Sequence, residues 1–323
     1  MTPGRQFIVA VTAAFLMMSF ADGCSRDLPT STSHVGARRQ VGGPPTPSSG
    51  TVDFALLSDA TSFIRRLPEM DMVDGGGVWG DMQSTYFRTT ATNREFRRGF
   101  AEFIVPELPK GFRSARIVLR ETRASISLPV PPDRHELSFY SDADLIVDAG
   151  DLDRPTSPVG TFETDPNLET QTFEFDVTRV VSQRRGSTLG FRVKLESDPA
   201  ESGFRPLGSA FSRSSTPPGV VIQLTGARPA DAVDYMRHVI GRLELSPGVM
   251  ESLLDPLGRA LRLLRDDVPG NDHAVCRHLA AFLSALDEAG GSGKARGELP
   301  SPEREYLRET SRNVAAALGC SGN

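Results

Sequence analysis

The chain has 323 residues, with 36 lysines and arginines against 41 aspartates and glutamates, a formal net charge of −5 and one tryptophan. This mixed, mildly acidic balance supplies neither a basic stripe for nucleic acid nor a polybasic patch for anionic lipid, which excludes both as charge-driven partners. After an N-terminal leader and linker, the remaining length suits two modest domains of roughly 100–200 residues each. In chain order, the first element is an apolar run from Phe7 to Phe20 behind one early cation, Arg5. It is shorter than the roughly 20 residues that a spanning helix needs, and it reads as a secretory signal.

The small residues Ala21 and Gly23 precede Cys24 in "SFADGCSRDLP". This arrangement resembles the lipobox of bacterial lipoproteins, with Ala21 standing where that family usually has Leu. The resemblance implies cleavage just before Cys24, acylation of its thiol and anchorage to a lipid membrane. The uncharged Ser25 that follows implies delivery to the outer membrane. The residues alone also allow an ordinary signal-peptidase cut after Gly23 that leaves Cys24 as a free thiol in a secreted or periplasmic protein. From Cys24 to Gly50 the chain is mostly Ser, Thr, Pro, Gly and Arg with little to bury, so a flexible tether is expected. The expected organisation is a signal peptide over 1–23, a disordered linker over 24–50, a β-sandwich over 51–226 and a helical bundle over 227–323.

The central segment alternates with period two, as strands with one buried face do. In "LGFRVKLE", Leu189, Phe191, Val193 and Leu195 fall on one face and Arg192, Lys194 and Glu196 on the other. "TFEFDVT" puts Phe173, Phe175 and Val177 inward, with Glu174 and Asp176 outward. "FAEFIV" (100–105), "ARIVLR" (115–120), "HELSFY" (135–140) and "GVVIQL" (219–224) give four more strands. Turn-rich stretches such as "VPPDR", "DLDRPTSP" and "ESDPAESG" separate them. No helical run of good period interrupts the segment, so the expected fold is an antiparallel, jelly-roll-like sandwich.

"RGFAEFIVPELPKGFRSARIVLRE", "FEFDVTRVV" and "FRPLGSAFSRSSTPPGVVIQL", in that order between Asn93 and Leu224, resemble the strand pattern of disaggregatase-related, DNRLRE-type sandwich domains. That family is built like a carbohydrate-binding module, and the resemblance implies a binding or spacer role, with polysaccharide or an envelope protein as partner. Sugar recognition by stacking needs aromatic faces, and the candidates are Trp79, in "DGGGVWGD", Tyr86 and Tyr140. Against a ligand role for Trp79 stands simple packing of a loop over a sheet edge.

The run "SDADLIVDAGDLD" gathers Asp142, Asp144, Asp148, Asp151 and Asp153. Calcium takes roughly six to eight oxygens, which makes Asp142, Asp144 and Asp148 candidate ligands of a structural ion. The run lacks the EF-hand spacing and reads first as a solvated acidic loop. No other cofactor is expected. The chain has no nucleophile elbow, zinc-binding His-Glu-x-x-His, P-loop or dinucleotide fingerprint. His135 reads as a surface residue at a strand start, and the Glu102 and Glu107 pair carries no signal in so acidic a chain. The expectation is a protein without enzymatic activity, the alternatives being an accessory or degenerate polysaccharide-degrading enzyme and a purely structural part of a surface assembly.

From about Ala227 the period becomes helical. "ADAVDYMRHVIGRLEL" aligns Val233, Met236, Val239, Ile240 and Leu243. Ser246 and Pro247 open a second helix carrying Val249, Leu253, Leu254, Leu257, Leu261 and Leu264, which Pro256 should kink or split. Asn271 caps a third with Leu279, Phe282 and Leu286, and Ser301 with Pro302 starts a fourth that Gly319 closes. If the third and fourth helices pack antiparallel, Cys276 and Cys320 become neighbours, and a disulfide fits an oxidising compartment. The alternative is two buried free thiols. "LLDPLGRALRLL", "AVCRHLAAFLSALDEAGG" and "NVAAALGC" resemble the FIMAH-type helical module of bacterial secreted proteins, with Pro256 and the Gly-rich stretch before Leu299 as departures. This resemblance implies extracellular placement. His238, His273 and His278 read as surface positions, because His273 and His278 do not share a helix face.

Overall fold

A computed structural model describes residues 50–67, 72–76, 81–90, 93–107, 112–122, 133–165, 168, 170–196, 207–212, 218–266, 271–291 and 299–320. The expected signal, Cys24, the linker up to residue 49 and Trp79 lie outside these residues. The elements run β1 Val52–Leu57, β2 Ala60–Leu67, β3 Met72–Gly75, β4 Asp81–Thr90, β5 Asn93–Val105, β6 Ser114–Thr122 and β7 Asp133–Tyr140. A 3-10 turn at Ala149–Asp153 leads to β8 Ser157–Thr164, β9 Thr170–Asp176, α1 Thr178–Gln183, β10 Ser187–Leu195, β11 Leu207–Ser212 and β12 Val220–Ala227. The four longer helices follow: α2 Pro229–Gly241, α3 Pro247–Arg265, α4 Asp272–Gly291 and α5 Ser301–Ala317.

Strand pairing is antiparallel among the described residues. One sheet has the order β1-β12-β6-β9, and the other runs β11-β4-β5-β10-β7-β8 with β2 on β5 and β3 on β2. The six strands that the period-two pattern marks are β5, β6, β7, β9, β10 and β12. β8 escapes that pattern because Pro158 and Gly160 interrupt it, and its place at the end of the sheet order explains why both are tolerated. Among the described residues the short helix α1 and the 3-10 turn lie between the strands, both too short to show a helical period in the sequence.

The two sheets meet through apolar side chains. Ile117 and Leu119 of β6 and Ile222 of β12 share a core with Phe103, Phe191 and Phe211 of the other sheet. Phe162 of β8 meets Phe173 of β9 at 4.5 Å between ring centroids. The opposite face of the four-stranded sheet is covered too, because Val118 and Val221 are as buried as their neighbours. The same apolar cluster continues into Tyr235, Met236, Val239, Leu257, Phe282 and Leu307 of the helices.

Polar contacts fasten the helices to β1. The Tyr235 hydroxyl accepts from the Leu57 N–H at 2.8 Å, and the Tyr306 hydroxyl donates to the Ala55 carbonyl at 2.7 Å. Just past β1, Asp59 is buried and accepts from the Ile104 N–H at 2.6 Å and from the Arg242 guanidinium.

Contrary to the expected split, α3 runs unbroken through Pro256, whose ring is buried. At the end of α5, Gly319 takes φ +69°, a left-handed conformation that costs glycine little. The Gly319 N–H then bonds to the Ala316 carbonyl and the Cys320 N–H to that of Ala315, the double closure of a Schellman cap. This reversal delivers Cys320 to Cys276 near the start of α4, and the two form a disulfide.

Candidate functional site under the acidic loop

β5 sends Ala101, Phe103 and Val105 into the shared core, so Glu102 points to the other face of its sheet. There the segment from Ser141 to Thr156 lies over the strands and seals a second small apolar cluster of Ala60, Ile64, Phe100, Tyr140, Ala143, Val147 and Leu152. Glu102 sits under this cover with 0 % exposure. The Tyr140 hydroxyl donates to its Oε1 at 2.7 Å, while Oε2 has no hydrogen-bond partner.

Two glycines make the arrangement possible. A β-carbon on Gly190 would stand 2.1 Å from the Tyr140 ring, and one on Gly76, at φ +99°, would stand 2.3 Å from the Val147 carbonyl oxygen. The segment also holds Leu145 at φ +67°, a conformation that a branched side chain adopts at a cost. Its backbone N–H lies against the Glu102 carboxylate.

The aspartates of the segment bind one another's backbone. Asp148 Oδ1 accepts from the Gly150 N–H at 2.8 Å and Asp151 Oδ2 from the Asp148 N–H at 2.8 Å, a reciprocal cap on the 3-10 turn. Asp144 Oδ1 accepts from the Ile146 N–H at 3.0 Å. Arg154 ties the ends together, with Nη2 at 2.8 Å from Asp144, Nε at 2.5 Å from Asp151 and Nη1 on the Asp142 carbonyl.

The buried acids are electrostatically costly. Burial raises Glu102 above the ordinary carboxylate range, with the Tyr140 hydrogen bond opposing and the Asp151 charge adding to the shift. Asp151 is raised by burial too, against the pull of the Asp148 N–H and Arg154. Burial pushes the Tyr140 phenol far above its usual range, and the Glu102 charge helps. For an acid raised on folding, the folded state holds the proton more tightly than the unfolded chain does. Stability is then greatest below the ordinary carboxylate pKa and falls as pH rises through the folded value. Glu102→Gln is therefore expected to stabilise the protein by about 1–2 kcal/mol at neutral pH, with the gain fading near pH 4. Urea melts of both proteins at the two pH values check this, and a gain independent of pH would contradict it.

The sequence candidates land in different places. Tyr140 is 2 % exposed, with its ring edge-on to Phe100 and Arg154 above it, so its face is covered rather than offered to a sugar. Tyr86 lies on β4 opposite Leu207 and Phe96. Asp142, Asp144 and Asp148 share the loop, but among the described residues no three His, Cys, Asp or Glu side chains converge to hold a metal ion. His135 is a correction to its surface reading: it is fully buried, stacks on Phe162 at 4.9 Å, and has Nε2 3.4 Å from the Thr164 hydroxyl. Arg192, expected on a solvent face, is 8 % exposed because the loop covers it. Sequence reasoning does not single out Glu102 as a site residue. Its signal is a lone acid inside "FAEFIV", a nearly continuous apolar run of the kind that strands buried on both faces show.

Set against known proteins, the chain matches no family model, and no curated protein sequence matches it significantly.

Proposed function

We propose that the protein is an exported, non-enzymatic lipoprotein of the cell envelope, held by an acylated Cys24 and acting as a surface module that binds polysaccharide or spaces an envelope partner. In this reading the strands form a jelly-roll-like sandwich of the DNRLRE type and the helices a FIMAH-like bundle. What carries it is the engagement of the buried acids by the chain itself. Glu102 is held by Tyr140, and Asp151 by Asp148 and Arg154. Carboxylates committed in this way fasten a loop, whereas glycoside hydrolysis needs two acids facing each other across the substrate. The apolar cluster shared by sheets and helices supports the spacer aspect, since it makes them one packed body. Among the described residues no helix is long and apolar enough to cross a membrane. A glycan screen against the purified protein tests the binding aspect. Binding of at least one polysaccharide, weakened by Trp79→Ala, is the expected result, and silence across the screen would leave only the spacer.

One observation favours a degenerate or accessory polysaccharide-degrading enzyme as the second reading. Glu102 and Asp151 are two nearby carboxyl groups that burial pushes toward the protonated form, as a general acid requires. Turnover of a polysaccharide that Glu102→Gln abolishes would establish this reading in place of the first.

A further inference from the structure

Glu102 stands in its sheet between residues that offer its carboxyl nothing. Its register partners are Gly190 on β10 and Ala60 on β2, neither of which has a polar side chain. Gly190 is also the partner of Tyr140, whose ring fills the space that a β-carbon there would take and so brings its hydroxyl to Glu102 Oε1. Oε2 is left without a hydrogen-bond partner, on a residue with 0 % exposure. A carboxyl buried with one oxygen idle is far less costly neutral than charged.

The charges around Glu102 do not favour its ionisation. Asp151 and Asp144, in the segment that covers it, oppose a further negative charge. Arg154 of the same segment is committed to those two aspartates and lies over the Tyr140 ring. Farther along the sheet face, Arg98 of β5 and Arg192 of β10 turn to the Leu152 carbonyl, and Asp59, just past β1, is engaged by Arg242 and the Ile104 N–H. Burial and the two acids together raise the Glu102 carboxyl above its ordinary range, against the Tyr140 hydrogen bond. The cover closes on little. Ala143, Val147 and Leu152 are its buried apolar side chains, the Thr188 hydroxyl holds its Ala143 carbonyl, and Leu145 at φ +67° opposes closure through backbone strain.

We propose that the segment Ser141–Thr156 is a proton-gated cover, shut over a neutral Glu102 and released when that carboxyl ionises. With the cover open, water solvates the carboxyl and returns it to its ordinary affinity for a proton. With the cover shut, the proton is held more tightly. The shut form is therefore favoured most below the ordinary carboxylate pKa, and its advantage falls as pH rises to the value of the shut form and then stays level. Opening lifts Ala143, Val147 and Leu152 off Ile64 and Phe100 and bares the outer face of β5 and β10. The device goes beyond the envelope-module reading and stands without it.

Hydrogen exchange of the purified protein, read by mass spectrometry on peptides from Ser141–Thr156 and corrected for the intrinsic pH dependence of amide exchange, is the test. Glu102→Gln, Asp151→Asn and Tyr140→Phe are the variants. In the wild type, protection of the segment should fall by up to about tenfold per pH unit above roughly pH 4.3 and then level off, while α2 to α5 keep theirs. Glu102→Gln should hold the segment at its acid level of protection throughout. Asp151→Asn should keep the fall, and Tyr140→Phe, lacking the donor that favours the ionised carboxyl, should carry it to higher pH. Wild-type protection that does not change with pH would overturn the gate. So would a fall as steep in Glu102→Gln as in the wild type, or one that Asp151→Asn abolishes and Glu102→Gln leaves, which would put the controlling proton on Asp151. A loss shared equally by the helices would overturn it too, since the whole body would then be unfolding.

Discussion

Serine at both Cys276 and Cys320 is expected to lower the unfolding free energy by about 4 kcal/mol and the melting temperature by roughly 10 °C. The bridge closes a loop across a sequence separation of 44, and the chain-entropy model assigns a loop of that length a cost of this order in the unfolded state. The native geometry is ready for it, because the left-handed Gly319 turns the chain back beside α4. Without the bridge, α5 would hold to the rest through Leu307, Val314 and the Tyr306 hydrogen bond to β1. Calorimetry of the wild type with and without reductant, beside the double serine variant, reads the effect. Reduced wild type and variant should melt together, and a variant as stable as the oxidised protein would contradict the argument.

Asp59→Ala is expected to cost about 3–5 kcal/mol, the usual penalty for removing one partner of a buried ion pair. Asp59 is 6 % exposed and makes three contacts at once: its Oδ2 accepts from the Ile104 N–H of β5, its own N–H donates to the Glu102 carbonyl of the same strand, and its Oδ1 meets Arg242 just past α2. His238 Nε2 stands 3.5 Å from the same Oδ1. Alanine leaves the half-buried Arg242 charge and the Ile104 N–H without this partner. Adding Arg242→Ala should recover part of the loss, since the uncompensated charge then leaves as well. A double variant no more stable than Asp59→Ala would show that packing, not charge, carries the cost.

Much of the architecture was legible because alternation and helical spacing are local signals. "LGFRVKLE" and "TFEFDVT" declare their buried faces, and Ser246-Pro247, Ser301-Pro302 and Gly319 mark helix ends. The cysteine pairing followed from those ends once α4 and α5 were given opposite directions. The loop site was not legible, for a physical reason. Nothing near Glu102 or Arg192 in the sequence says that Ser141–Thr156 folds back over them, and the contacts that do so, from Arg98 and Arg192 to Leu152, span 54 and 40 positions. His135 illustrates the same blindness, since its burial comes from Phe162 on the neighbouring strand. Pro256 shows the opposite failure, a local breaker that the helix runs through, since its ring is buried against the core.

On the proposed function, the packed body is tethered to a membrane through an acylated Cys24. Intact mass spectrometry of the protein purified from its own cell envelope, with and without reduction, tests this tether directly. The expected mass corresponds to a chain beginning at Cys24 with a diacylglycerol attached, rising by two hydrogens on reduction of the Cys276–Cys320 bridge. A chain that begins after Cys24, or begins with it bare, would contradict the anchor and make the protein a freely diffusing one.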